Sequence, residues 1–236
     1  MVITIIQYSK MSKLYVISRD IGNTDDVSPR VISVLNECDF ILCEDTRVSG
    51  MFLKKHSVEK KELVSINEFN ERKKTEWVLD RIKNGETAGL MSDAGTPSVS
   101  DPGYYITSQA VLLGIKIVPI PGVSSVMAAL VGAGFPTDAF IFYGFLPKKD
   151  KKRRNKLAEA LSRQETSLFF ESPHRINKTL SEIVALDADR EIVIAREMTK
   201  IHEEFVRGTA KSVFEGLWTR KGEMVLVIKG EKNVQR

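Results

Sequence analysis

The run Thr87-Ala88-Gly89-Leu90-Met91, followed by Ser92-Asp93-Ala94-Gly95-Thr96-Pro97-Ser98-Val99-Ser100-Asp101-Pro102-Gly103, decides how the rest of the chain is read. Its first five residues form a candidate strand, and a long stretch rich in Gly, Pro, Asp and Ser follows directly. Such a stretch at the carboxyl end of a parallel strand is where open α/β sheets place their ligands. Gly95 permits close approach of backbone to a small molecule, Pro97 and Pro102 stiffen the loop, and free amides and carbonyls can hold polar groups. The alternative is an ordinary turn, for which the stretch is long.

Outward from this point the pattern repeats. Candidate strands at Leu14–Ile17, Phe40–Cys43, Leu63–Ile66 and Lys116–Pro119 alternate with amphipathic stretches. Ser28-Pro29 opens a helix with Val31, Val34, Leu35 and Cys38 on one face. A second helix carries Trp77, Val78, Arg81 and Ile82 and stops at Gly85, and a third, Tyr104–Leu113, stops at Gly114. Alternating strands and helices imply right-handed crossovers and a mainly parallel sheet.

Pro119-Ile120-Pro121-Gly122-Val123-Ser124-Ser125 is a second loop of the same kind, leading into a small-residue helix over Ser124–Gly134; a simple N-cap is its other reading. Beyond it lie strands at Phe140–Phe145, Thr166–Phe170, Glu191–Ala195, Glu203–Arg207 and Met224–Lys229, with a helix from the basic block to Arg163. The short connection between two of these strands points to a mixed sheet. The expected organisation is a two-domain α/β fold: an N-terminal extension (1–12), an N-terminal domain (13–121) with a mainly parallel sheet, and a C-terminal domain (122–236) with a mixed sheet. The active-site cleft is expected between the two domains. Met11 is an alternative start to Met1.

Of 35 Lys and Arg and 31 Asp and Glu, seven basic residues and one acidic residue fall within Pro147–Lys156, leaving 28 against 30 elsewhere. This concentration is the footprint of a phosphate-backbone partner, and a solvated helix start is the other reading. No apolar run reaches the roughly 20 residues a bilayer requires, and no secretory signal is legible, so the expected location is cytoplasmic. Cys38 and Cys43 read as small buried hydrophobes. The three histidines have no ligand spacing, so no bound metal is expected. The chain has no G-x-x-x-x-G-K-[ST] and no G-x-S-x-G, and Gly132-Ala133-Gly134 lacks the third glycine of a dinucleotide fingerprint, which disfavours P-loop, hydrolase and dinucleotide sites.

Leu14-Tyr15-Val16 to Ile21-Gly22-Asn23, Glu44-Asp45-Thr46-Arg47, Ser92 to Gly103, Pro121-Gly122-Val123-Ser124, Pro136-Thr137-Asp138, Gly144-Phe145-Leu146-Pro147, Glu171-Ser172-Pro173-His174-Arg175 and Ala195 to Lys200 occur in order. In this the chain closely resembles the 16S ribosomal RNA cytidine-2′-O-methyltransferases of the tetrapyrrole methylase superfamily. The resemblance implies a class III methyltransferase, usually a homodimer, that uses S-adenosylmethionine to modify a decoding-centre cytidine in 16S rRNA of the 30S subunit. It implies cofactor contacts from Ile21, Asp93, Gly95, Thr96, Pro97, Val99, Ser124 and Ser125, and from Phe170, Ala195 and Val225. Two strings depart from the family pattern. Arg19-Asp20 stand where members usually carry a small residue and Pro, and Ile66 to Glu71 lacks a histidine seen there.

The implied reaction is an in-line attack of a ribose 2′-oxygen on the sulfonium methyl, in which alignment supplies much of the acceleration. The hydroxyl also needs its proton accepted. Candidates for accepting it or orienting the hydroxyl are Glu44, Asp45, Glu171, His174 and Glu197. Each has an alternative reading as a helix cap or as a salt bridge with Arg47, Arg175 or Arg196. The expected RNA contacts are Arg47, Lys148, Lys149, Lys151, Lys152, Arg153 and Arg154. Competing readings are a methyltransferase acting on a tetrapyrrole or corrinoid precursor, and a catalytically degenerate RNA-binding ribosome-assembly factor.

Overall fold

The computed structural model describes residues 13–231, in two units, one ending at Ser124 and the other beginning at Ser125. The expected N-terminal extension and the two candidate starts lie outside the described residues.

In the first unit, strands β1 (Lys13–Ile17), β2 (Phe40–Cys43), β3 (Glu62–Ser65), β4 (Thr87–Met91) and β5 (Lys116–Ile120) form one sheet in the order β3-β2-β4-β1-β5. Every pairing is parallel. Helices α1 (Pro29–Glu37), α2 (Thr46–Lys55), α3 (Glu71–Lys83) and α4 (Tyr104–Leu112) connect the strands. Alternate strand residues feed different cores. Leu14, Phe40, Leu42 and Leu90 pack with Val78, Ile82, Ile106 and Ala110 of α3 and α4. Tyr15, Ile17, Ile41 and Met91 pack with Val31, Leu35, Phe52 and Leu53 of α1 and α2. Because both faces are covered, the strands read as apolar runs and not as alternating ones. The Ser28 hydroxyl accepts from the Val31 amide, and Pro29 opens α1 without losing a needed donor. Cys38 and Cys43 are free and buried, and burial pushes the Cys38 thiol up to about 12.

The second unit opens with α5 (Ser125–Ala133) and β6 (Phe140–Phe145), followed by α6 (Asp150–Leu161), β7 (Thr166–Glu171) and α7 (Ile176–Leu186). It ends with β8 (Glu191–Arg196), β9 (Glu204–Thr209), the short α8 (Ala210–Glu215) and β10 (Met224–Ile228). The sheet order is β6-β7-β10-β8-β9, with β6 and β7 parallel and the other pairs antiparallel. Leu157, Phe169, Leu180, Ile183, Ile194, Val213 and Leu226 fill the core on one face, and α5 lies against β8, β9 and β10. The structure thus has the parallel and mixed sheets expected. It adds α2, α7 and α8, which the pattern reading leaves unassigned. The α2 start is capped by Asp45, whose carboxylate accepts from the Arg47 amide at 2.8 Å.

Candidate active site

Parallel strands deliver their carboxyl ends to one edge of the sheet, so the loops after β1, β4 and β5, three adjacent strands, meet there. Backbone bonds tie them. The Arg19 amide donates to the Gly95 carbonyl at 2.9 Å, and the Gly95 amide returns a bond to the Asp20 carbonyl at 3.0 Å. The Ser18 and Thr96 hydroxyls lie 3.0 Å apart, and Thr96 also donates to the Val123 carbonyl at 3.3 Å. The Ser92–Gly103 loop, read as a ligand loop, is therefore built into its neighbours and is not a free turn.

Its far end is fixed from α3. Glu71, buried at 9% exposure, accepts from the Gly103 and Ile106 amides at 3.1 and 3.0 Å, satisfying two donors that the start of α4 leaves open. Gly103 has φ +121°, and a Cβ there would lie 2.7 Å from Ser98 Oγ and 2.8 Å from Leu90 Cδ2. Neither residue was singled out for this role in the sequence. The signal for Glu71 is an acidic residue opening one helix while the next begins at a glycine with no side-chain cap.

The carboxylates sort by partner. Glu44, following β2, accepts from the Asp93 amide at 3.3 Å, and Asp93 Oδ1 accepts from the Asp45 amide at 3.3 Å. Burial pushes the Glu44 carboxyl up to about 7, helped by the negative charges of Asp101 and Asp93. Burial also lifts Asp101 to about 6, against a hydrogen bond from Ser92. Three carboxyl groups thus crowd the mouths of β2 and β4, and one is poised near neutral pH.

Three other proton-acceptor candidates have partners of their own within the fold. Asp45 is held down to about 2 by hydrogen bonds from the Arg47 guanidinium and amide, so it works as a cap and ion-pair partner. Glu171 is buried and accepts from the Ser172 amide, Arg175 Nε and Thr179 Oγ1 at 2.8, 2.9 and 2.6 Å, which commits its lone pairs inside the fold. Glu197 is desolvated, but the Glu223 amide at 2.8 Å and Lys200 at 3.2 Å hold its carboxyl below the ordinary range. Arg196 pairs with Glu204 and not with Glu197. His174 is exposed.

Among the expected cofactor contacts of the first unit, Ile21, Gly95 and Pro97 are buried, Asp93, Thr96 and Ser124 are half-buried, and Val99 is exposed. In the second unit, Ser125 opens α5, while Phe170, Val225 and Ala195 sit in one row across β7, β10 and β8, Val225 being the register partner of both others. The Arg19-Asp20 pair is nearly buried. Its ion pair spans 3.2 Å, and the guanidinium stacks 4.1 Å from the Phe52 ring centroid. In the basic block, Lys148, Lys149, Lys151, Lys152 and Arg154 are exposed. Arg153 is a correction. It is 2% exposed and bonds Glu182 at 2.6 and 2.8 Å and Asp150 at 3.0 Å, so its charge is spent joining α6 to α7 and is not open to phosphate. Arg47 is exposed and paired with Asp45 at 2.7 Å. No group of metal-ligating side chains occurs among the described residues, and none of their helices is long and apolar enough to cross a membrane.

A parallel sheet with knitted loops at its carboxyl edge is joined in sequence to a mixed sheet. The chain belongs to the Tetrapyrrole (Corrin/Porphyrin) Methylases, whose family pattern it matches over residues 13–213. Within that family it is 40% identical to Ribosomal RNA small subunit methyltransferase I of Thermotoga maritima, over 94% of this chain and all of that protein. It is also 40% identical to the protein of that name from Halalkalibacterium halodurans, over 92% of this chain and 75% of the relative. Solved structures share the fold at low identity. Cobalt precorrin-4 methyltransferase, a cobalamin biosynthetic enzyme, superposes with TM-score 0.62 at 22% identity, covering 92% of this chain and 95% of the other. Diphthine synthase superposes with TM-score 0.69 at 15% identity, covering 92% and 90%.

S-adenosylmethionine is the cofactor of this family. The residues at the carboxyl edge suit it. Glu44, Asp93 and Asp101 give the site the negative charge that a sulfonium and an ammonium group require, Ser18 and Thr96 offer hydroxyls, and Ser98 Oγ is buried in the loop without a partner.

Proposed function

We propose that this chain methylates the ribose 2′-hydroxyl of a decoding-centre cytidine in 16S ribosomal RNA. The observation that carries the reading is the joining of the β1, β4 and β5 loops beside Glu44, a carboxyl poised at about 7. When bound, S-adenosylmethionine supplies an electrophilic methyl group. The chain's own part is to bind, to align and to accept a proton. Ile21, Asp93, Gly95, Thr96, Pro97, Val99 and Ser124 are assigned to hold the cofactor. Ser125, Phe170, Ala195 and Val225 are assigned to it by the family resemblance alone.

Glu44 is assigned to take the 2′-hydroxyl proton. The other candidates Asp45, Glu171 and Glu197 are bound to cations or backbone donors, whereas a carboxyl near 7 matches the working pH of a general base. Exposed Lys148, Lys149, Lys151, Lys152 and Arg154, with Arg47, are assigned to ribosomal phosphates. The names and identities of the ribosomal relatives support the choice of RNA. The same reading makes the protein a cytoplasmic homodimer. Exposed Tyr104, Val111 and Leu112 on α4 offer apolar surface for such a contact.

The test has two stages. Calorimetric titration with S-adenosylmethionine should give saturable binding, and incubation with undermethylated 30S subunits should place one methyl on a cytidine ribose by mass mapping. Binding without ribose methylation, together with methylation of a porphyrinoid precursor, overturns the RNA assignment. Absence of cofactor binding overturns the enzyme reading and favours an assembly factor.

A further inference from the structure

The second unit carries an aromatic surface on β6 to which the reading above gives no part. Phe140, Phe142 and Phe145 lie on β6, an edge strand. Phe142 pairs in register with Leu168, and Phe145 with Phe170, so three steps along β6 match two along β7. In a regular strand, residues three apart face opposite ways. The extra residue of this bulge, taken up where Gly144 adopts φ +69°, turns Phe142 and Phe145 to one face. Both rings then meet Phe170 edge-on, at centroid distances of 4.8 and 5.3 Å and interplanar angles of 65° and 60°. Tyr143 points the other way and stacks on Phe169 of the core.

The result is a ring presented outward. Phe145 is 59% exposed while its edge contact with Phe170 restrains it, and Phe140 is 38% exposed. Directly after β6 the chain presents Lys148, Lys149, Lys151, Lys152 and Arg154, all exposed and without an ion pair among the described residues. Aromatic faces beside unpaired cations are how single-stranded nucleic acid is held: bases stack on the rings and phosphates lie on the charges.

We propose that Phe145, braced by Phe170, is the stacking platform for one unpaired nucleobase of the RNA substrate, with Lys148 and Lys149 holding adjacent phosphates. This deepens the RNA reading above and rests on it. A ring face is sequence-tolerant, so the platform seats the strand and does not select its base.

The test is binding of an end-labelled, short single-stranded RNA to the full chain by fluorescence anisotropy at several salt concentrations, using F145A, F145L, F145Y and F145W. Leucine keeps the apolar contact with Phe170 but has no π face, which separates stacking from packing. The expected result is affinity about tenfold weaker for F145A and F145L, wild-type affinity for F145Y and F145W, and an unchanged salt slope throughout. Equal affinities across the series, or leucine binding as well as phenylalanine, overturn the platform while leaving the RNA reading standing if wild type still binds. A change in sedimentation without a change in RNA affinity also overturns it and makes the face a protein contact. Failure of wild type to bind RNA removes both.

Discussion

Replacing Glu44 by Gln tests the site through its charge. The carboxyl has an ordinary value of 4.5 and stands at about 7 in the folded chain, raised by burial first and by Asp101 next. A raised value means that folding favours the protonated form, so the stability this group contributes is fully present below pH 4.5 and is lost as pH rises through 7. At 1.36 kcal/mol for each tenfold change in proton affinity, full conversion is about 3 kcal/mol, and partial solvent access reduces this to about 1–2 kcal/mol. Gln cannot ionise. E44Q should therefore match wild type near pH 4 and exceed it by about 1–2 kcal/mol near pH 8. Urea unfolding followed by tryptophan fluorescence reads this, in a W218F background that leaves Trp77 of α3 as the reporter of the first unit. The same substitution should abolish the rise of kcat/KM through pH 7 expected of a general base. E44Q no more stable than wild type at pH 8 would refute the account of Glu44 as a carboxyl held up by burial and like charge, whatever its activity.

Other consequences concern the frame and the RNA face. Glu71→Ala should cost about 2–4 kcal/mol in urea unfolding, because the Gly103 and Ile106 amides lose a buried acceptor, and Glu71→Gln should cost about 1 kcal/mol. Gly103→Ala forces a Cβ into Ser98 and Leu90 at a left-handed φ, so it should lower stability by about 2–3 kcal/mol and weaken calorimetric S-adenosylmethionine affinity at least tenfold. Reversing Lys148, Lys149, Lys151 and Lys152 to Glu should leave cofactor affinity unchanged and flatten the salt dependence of RNA binding by a slope of about 3. Arg153→Glu should instead reduce the melting temperature, since its partners Glu182 and Asp150 are left facing a like charge.

The parallel sheet could be read from the chain because strands buried on both faces leave an apolar run, as Phe40–Cys43 and Thr87–Met91 do, with bounds that match the structure. Helix α1 was legible for the same local reason, a Ser-Pro start followed by apolar residues on one face. Helix α2 was hidden. Its buried face is only Ser49, Phe52 and Leu53, too few for a clear period, and its start depends on Asp45, which could equally be read as chemistry. Helix α7 has the spacing Ile176, Thr179, Leu180, Ile183, but a polar Thr interrupts the stripe; there Thr179 donates to buried Glu171. Site residues divide similarly. The loop was visible as composition, whereas the partner of each carboxylate lies up to 49 residues away, as with Asp93 and Glu44, and no local pattern encodes such a pairing.

Backbone strain gives an argument independent of charge. Among the described residues, the non-glycine positions with positive φ are Ser57, Ser98, Ser100, Glu197 and Thr199. Ser98 and Ser100 fall in the loop after β4, and Glu197 and Thr199 in the turn after β8, directly beyond Ala195. Each left-handed residue costs on the order of 1 kcal/mol and persists only where its surroundings dictate it. Those surroundings are visible: the Ser98 amide donates to the Pro102 carbonyl, the Glu197 amide to the Glu223 carbonyl, and the Thr199 amide to Glu203. Ser57, by contrast, follows the end of α2, where a left-handed residue merely closes a helix. Turns elsewhere in the chain use glycine at such angles, which would relieve the strain at no cost in side-chain contacts. The Ser98 hydroxyl is buried without a partner, whereas the Glu197 carboxylate accepts from the Glu223 amide and from Lys200, so the first strained loop keeps an uncommitted polar group at the carboxyl edge of its sheet and the second spends its own inside its turn.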